Sequence, residues 1–345
     1  MRKRHGWSRD IGVDLGTASI LIYVRGKGIV LREPSVAAVD RETGKLLTVG
    51  REARQMLGRT PENIVAVRPL REGVISDCEM TEKMLRELLR QVRRRGMLKP
   101  RVVICVPSGV SEVEARAVVE AGTRAGARQV FLIEEPVAAA MGAGIDIAGP
   151  DGRMVVDIGG GTSDVAVLSL SGVVESASVK VAGDRFNEAL IRYIRREYGV
   201  LIGERTAEEI KRTIGGVCPR PEELRMEIRG RSLSDGLPRS VTVTDRELVE
   251  PLTEVGEQII ETITGVLERT PPELAADVAA NGIVMTGGGS LLWGIDELVT
   301  RRTGIETRVA DDAVSCVACG TGMCLDKLSG MRAGTLHRPD RRQRA

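Results

Sequence analysis

Two glycine turns constrain this chain more than any other feature. One is Asp14-Leu15-Gly16-Thr17 and the other is Asp157-Ile158-Gly159-Gly160-Gly161-Thr162. Both run Asp, aliphatic, Gly, Thr. Apolar, β-prone residues flank each turn: Ile11-Gly12-Val13 and Ile20-Leu21-Ile22-Tyr23-Val24 for the first, Met154-Val155-Val156 and Val165-Ala166-Val167-Leu168 for the second. Strand, glycine turn, strand reads as a hairpin. Dinucleotide-binding and P-loop motifs run from strand into helix, and no GxxxxGK[ST] occurs, so both are disfavoured. Glycines let a loop aim backbone N–H groups inward and cradle phosphate. Asp157 and Asp164 could face a metal ion, and Thr162 a phosphate oxygen. The matching turns imply two related halves. Facing each other across a cleft, they would grip a polyphosphate from both sides.

Composition narrows the class. A chain of 345 residues suits two domains, and 42% hydrophobic residues can form a sizeable core. Aromatics make up only 2%, which argues against base-stacking nucleic-acid modules. A net charge of +2 is too balanced for a general polyanion binder. The 6 cysteines lack the density of a disulfide framework, so a reducing cytoplasm is expected. Cys316-x-x-Cys319 has no second Cys or His pair at zinc spacing. No apolar run approaches the ~18 residues of a membrane span, and the basic stretch 1–9 lacks a signal peptide's apolar core.

Further segments fill in the halves. One helix is expected near Glu52 to Leu57. Residues 80–95 read as an amphipathic helix with Met80, Met84, Leu85, Leu88, Leu89 and Val92 on one face. Basic residues then bracket Met97-Leu98, which could touch a membrane surface or form a solvated turn. Val102–Val106 and Val130–Ile133 read as buried parallel strands. A capping box at Ser111/Glu114 opens the helix between them. Glu134 and Glu135 lie at a strand's C-terminal end, where open α/β sheets place their chemistry. Either could act as a base or place a water. Past the second turn, Ala182-Gly183-Asp184 reads as a turn and Asn187–Tyr198 as a helix. A capping box at Thr206/Glu209 starts another helix, with Glu208 and Lys211 on one face. They could grip a nucleoside or form an ordinary surface ion pair. Residues 216–240 read as irregular or small-strand, and Asp245–Glu268 as the longest helix. Ile283–Thr286 is a strand leading through Gly287-Gly288-Gly289-Ser290 into a helix, a loop that could let backbone approach a ligand closely.

Taken together, these motifs resemble the actin, Hsp70 and sugar-kinase ATPase superfamily, and within it the bacterial MreB/Mbl-type rod shape-determining family, over about residues 10–327. The resemblance is carried by Asp14–Ser19, Gly26–Leu31 with Glu33–Val36, Gly58–Pro61, Arg68–Leu70 to Gly73–Ile75, Ile133–Pro136 and Asp157–Asp164. It continues through Ile202–Lys211, Thr270–Leu274 and Thr286–Gly289. It implies an α/β actin-like ATPase fold of two lobes, each on an RNase H-like mixed sheet. Lobe I would be 10–150 plus 311–330, with a small subdomain near 32–68. Lobe II would be 151–310, with a small subdomain near 183–244. Residues 1–9 would be a basic segment and 331–345 a basic, disordered tail. ATP and Mg²⁺ would lie in the cleft.

By motif, Gly16, Thr17 and Ala18 would hold phosphates from one lobe, and Gly159, Gly160, Gly161 and Thr162 from the other. Asp14 and Asp157 would orient the Mg²⁺ shell through water. Glu135, with Thr162 and Asp157, would carry catalysis by placing the attacking water. Glu208, Glu209, Ile210 and Lys211 would meet the adenosine, with Gly287, Gly288, Gly289 and Ser290 closing on it. The family implies slow ATP hydrolysis coupled to homopolymer filaments at the inner face of the cytoplasmic membrane. Partners would be wall-elongation proteins, with Met97, Leu98 and Trp7 as candidate membrane contacts. Ser19 stands where Asn is usual, Ser163-Asp164 where Thr-Glu is usual, and Ser290 replaces a frequent Ala. A small-molecule kinase would need an Asp base in a substrate pocket, of which there is no sign. A chaperone-type ATPase would need a peptide-binding domain, and the chain ends soon after the last nucleotide-lobe helix. A filament protein that binds ATP without turnover is the third rival, and Glu135 argues against it.

Overall fold

The computed structural model describes residues 10–93, 98–326 and 328. Two five-stranded sheets dominate the described residues, and they share one plan. In the first, Ile11–Leu15, Ser19–Val24 and Gly28–Pro34 form an antiparallel meander. Arg101–Val106 joins Ile11–Leu15 in parallel, and Gln129–Glu134 joins Arg101–Val106. In the second, Arg153–Ile158, Ser163–Ser169 and Gly172–Val179 form the meander. Ile283–Thr286 and Thr307–Val309 extend it in parallel. The duplication inferred from the two turns is thus a duplication of sheet topology.

Strand side chains alternate between faces, and both faces of each sheet are covered. Val102, Ile104 and Val106 pack with helices Cys78–Val92 and Glu112–Arg124. Val103 and Cys105 turn the other way, towards Ala138, Ala139 and Val317. Val155, Ala166 and Leu168 of the second sheet reach the same cluster. Helices Glu135–Gly142 and Cys316–Cys324 therefore lie between the sheets and join the lobes. Their crossing is too close for side chains. A Cβ on Gly142 would lie 1.8 Å from Cys316 O, and one on Gly320 would lie 1.8 Å from Ala138 O. On the outer face of the second sheet, helices Gly183–Tyr198 and Asp245–Arg269 bury Phe186, Leu190, Leu252, Ile259 and Ile263.

Several local expectations shift. The helix expected at Asn187 begins at Gly183, because the Gly183 and Asp184 amides bond to Gly159 O and Gly160 O at 3.1 and 2.7 Å. The helix expected to be capped at Thr206 instead runs Glu204–Thr213 from Gly203, with no side-chain cap. Residues 216–240 contain more order than their Pro, Gly and charge suggest. Arg225–Ser232 pairs with Pro238–Thr244 in a regular antiparallel ladder. Gly287 leads into a short 3-10 turn, Gly288–Leu291, and the α-helix starts only at Ile295. The expected helix 80–95 is Cys78–Val92.

Candidate nucleotide site

The two glycine turns close in the same way. Gly16 N–H donates to Ser19 O at 3.1 Å, and Gly159 N–H donates to Thr162 O at 2.9 Å. They meet tip to tip. A Cβ on Gly160 would lie 2.5 Å from Ala18 Cβ, and one on Gly161 would lie 2.6 Å from Thr17 Oγ1. Only glycine fits such an approach, which explains the residue type at both positions.

Behind the tips is a cavity of about 930 Å³. Asp14, Gly16, Thr17, Ala18, Glu135, Asp157, Gly159, Gly160, Gly161 and Thr162 all line it. So do Glu208, Lys211, Gly287, Gly288 and Gly289. Three sequence candidates lie elsewhere. Ile210 is fully buried in the core of the second lobe, as expected for the inward face of an amphipathic helix. Glu209 is exposed and borders a neighbouring depression with Arg54, Arg205 and Arg212. Ser290 is buried, and its hydroxyl donates to Gly287 O at 2.7 Å. Of the suggested membrane contacts, Trp7 and Met97 lie outside the described residues, while Leu98 is 61% exposed.

The chemistry gathers at the deep end. Glu135 is the first residue of its helix and is buried, with Pro136 fixing the entry. Asp157 and Asp164 are buried near it and Asp14 is half-buried. Burial, then the Asp157 charge, pushes the Asp14 carboxyl up to about 7. At 1.36 kcal/mol per pKa unit that shift disfavours its charge by roughly 4 kcal/mol. Burial pushes Asp157 up to about 6, although Thr286 Oγ1 donates to it at 2.6 Å. Asp164 is pushed up to about 7 by burial, against the pull of the Ser108 amide at 2.6 Å. Glu135 is raised well above its ordinary value by burial, then by Asp164, Asp157 and Asp14. The Cys105 thiol sits between, 3.5 Å from Asp14 Oδ1 and 3.9 Å from Glu135 Oε1. A buried acidic cluster whose members repel one another suits a divalent cation, which stabilises every charge in it. Among the described residues no three His, Cys, Asp or Glu converge to chelate a metal directly.

The other end is built from second-lobe helices. Lys211 Nζ lies 2.7 Å from Glu208 Oε2 and donates to Gly183 O at 2.9 Å. Asn187 Nδ2 donates to Glu208 Oε2 at 3.1 Å. Burial works against the Glu208 charge, yet Lys211 and Asn187 hold its carboxyl below the ordinary value. Both residues line the cavity, with side-chain exposures of 29% for Glu208 and 13% for Lys211. Gly287, with φ 81°, brings its loop against the second sheet: a Cβ there would lie 2.3 Å from Ile158 O.

Sequence reasoning gave no role to Gly73, Arg32, Asp184 or Phe186, which also line the cavity. Gly73 lay inside a family-like stretch, a signal that could have found it. Asp184 and Phe186 were hidden by the late helix start assigned there.

Comparison with known proteins accords with this architecture. A family model described as MreB/Mbl protein matches residues 8–333. The cell shape-determining protein Mbl of Bacillus cereus is 52% identical over 93% of this chain and 97% of its own length. The cell shape-determining protein MreB of Escherichia coli K12 is 50% identical over 96% of each. Among solved structures, MreB5 of Spiroplasma citri bound to AMPPNP superposes with a TM-score of 0.89 at 37% identity, covering 94% of this chain and 97% of that one. A MamK double helical filament superposes at TM-score 0.78 and 23% identity, covering 92% and 99%, a likeness of fold alone. The chain has the two-lobed actin-like fold and belongs to the MreB/Mbl family.

Proposed function

We propose that this protein is a filament-forming ATPase of cell-shape determination, working at the inner face of the cytoplasmic membrane. The observation that carries the reading is the meeting of two glycine hairpins beside Glu135 in one cleft. The relatives named for cell shape, and the family member solved with AMPPNP, support it. Bound Mg·ATP supplies a transferable γ-phosphoryl group and a cation that spreads its charge. The chain's own residues do the positioning. Gly16, Thr17 and Ala18 hold phosphate oxygens from one lobe, and Gly159, Gly160, Gly161 and Thr162 from the other. Asp14 and Asp157 orient the hydration shell of Mg²⁺. Glu135 places the attacking water, with Thr162 assisting. Glu208 and Lys211 face the nucleoside, and the Gly287–Gly289 loop closes over it. The Cys316–Cys324 helix packs on the first sheet, which favours assigning it to lobe I.

Hydrolysis to ADP and phosphate would then time assembly. Other copies of the chain, the membrane surface and wall-elongation proteins are the proposed partners. Among the described residues no helix is long and apolar enough to cross a membrane; the proposed attachment is peripheral, with exposed Leu98 as a contact. Pelleting with Mg·ATP, with and without anionic vesicles, tests the reading. Nucleotide-dependent pellets that grow with vesicles are expected. Monomers throughout, with phosphate passed to a metabolite, would establish a kinase instead.

A further inference from the structure

A short hairpin of the first lobe packs against both glycine turns where they meet. Leu70–Arg71 pairs with Val74–Ile75 and places Glu72-Gly73 at the tip. Both tip residues have positive φ, 49° and 75°. Asn-Gly or Asp-Gly suits such a turn, and Glu at its first position is strained. What Glu72 gains lies on the other lobe. Its carboxylate is 3.1 Å from Lys180 Nζ and 3.8 Å from an Arg185 nitrogen. The turn's backbone meanwhile touches both phosphate hairpins. Gly73 N–H donates to Thr17 Oγ1 at 3.0 Å. A Cβ on Gly73 would lie 2.7 Å from Thr162 Cγ2, and one on Gly161 would lie 2.9 Å from Glu72 N. Arg68, a few residues earlier, reaches the same lobe through Asp184 at 3.1 Å and Glu204 at 3.3 Å.

We infer that Glu72 is a positioning residue for phosphate release. By tying the turn to Lys180 and Arg185 it holds Thr17 and Thr162 at the spacing that the reaction needs. This rests on the ATPase reading above. The ion pairs are solvated, with Glu72 47% and Lys180 61% exposed, so their effect is modest and sensitive to salt. Their leverage comes from location: small displacements beside reacting atoms cost rate out of proportion to the energy that caused them.

Glu72→Asn gives the turn its preferred residue type while removing the charge. Its melting temperature should equal or exceed that of the wild type, and its KM for ATP should stay within about twofold. Phosphate release should slow about fivefold, the span a solvated ion pair can supply. At about 1 M salt the wild type should fall to the variant's rate, with the variant itself unmoved. Glu72→Lys should be slower still, and adding Lys180→Glu should recover part of the loss. Release at the wild-type rate by Glu72→Asn overturns the assignment, as does a slowing matched by a lower melting temperature. A wild-type chain that binds Mg·ATP but releases no phosphate overturns the ATPase reading as well.

Discussion

Asp157 and Asp164 stand directly opposite each other in the antiparallel ladder, both buried and both with raised carboxyls. Opposed side chains share a face, so each bears on the other's charge. The sign of the consequence follows from the direction. A carboxyl raised in the folded state binds its proton more tightly there than in the unfolded chain. Its contribution to stability is full below about 4 and is lost as pH rises through about 6 to 7. Asp164→Asn keeps an oxygen to accept the Ser108 amide and removes the charge. It should stabilise the nucleotide-free protein at pH 8 by about 1–3 kcal/mol and leave it nearly unchanged at pH 5. Thermal denaturation at the two pH values checks this, and equal effects at both would show that Asp164 is not the strained acid.

The same repulsion predicts proton release on ligand binding. A cation beside Asp14 and Asp157 favours their charged forms, so Mg·ATP affinity should rise between pH 5.5 and 7.5, with protons expelled at the lower end. Titration calorimetry in buffers of different ionisation enthalpy reads the number directly. A binding enthalpy independent of buffer at pH 6 would contradict it.

Glu135 and Thr162 both line the cavity. Glu135→Ala should bind Mg·ATP but release phosphate about 100-fold more slowly, the usual span for a positioned base. If both act on one water, adding Thr162→Ala should cost much less than its effect alone, because groups acting as a unit are non-additive. Unchanged release by Glu135→Ala would redirect attention to Glu134, which is also buried.

The sequence made the site's deep end legible because each hairpin is local. An Asp, a few glycines and a Thr between apolar runs carry turn and strand pairing together. The Glu208/Lys211 pair was legible from its spacing, but its partners Asn187 and Gly183 come from another helix, whose start the sequence did not reveal. That start is set by hydrogen bonds to Gly159 O and Gly160 O, a tertiary effect outside any local pattern. Gly73 escaped for the same reason. Its importance lies in touching Thr17 and Thr162, neither of which is near it in sequence. Ile210 entered the candidate site only as part of a contiguous motif, whereas its helix turns it into the core.

The helix crossing that joins the lobes gives a sterically simple prediction. Gly142 and Gly320 each leave no room for a Cβ, since the contact would be with backbone oxygen rather than a movable side chain. Either Gly→Ala change must part the Glu135 helix from the Cys316–Cys324 helix. A loss of about 3 kcal/mol or more is expected, above the common range for overpacking. Because Glu135 begins one of these helices, ATP turnover should fall further than nucleotide binding. Gly288→Ala, whose added Cβ would meet nothing within 4 Å, is the matched control for stability and should melt with the wild type.

Lys211 donates both to Glu208 and to Gly183 O, and its side chain is only 13% exposed. Glu208→Ala would leave that ammonium facing the cleft with one carbonyl partner. Nucleotide affinity should fall about tenfold, corresponding to about 1.4 kcal/mol, with a smaller effect on turnover at saturating ATP. Glu208→Gln preserves the bond from Asn187 and should recover part of the affinity. Fluorescent-nucleotide titration of both variants separates the cases. Equal losses would mean that charge alone matters at this end, and no loss in either would place the nucleoside elsewhere in the cavity.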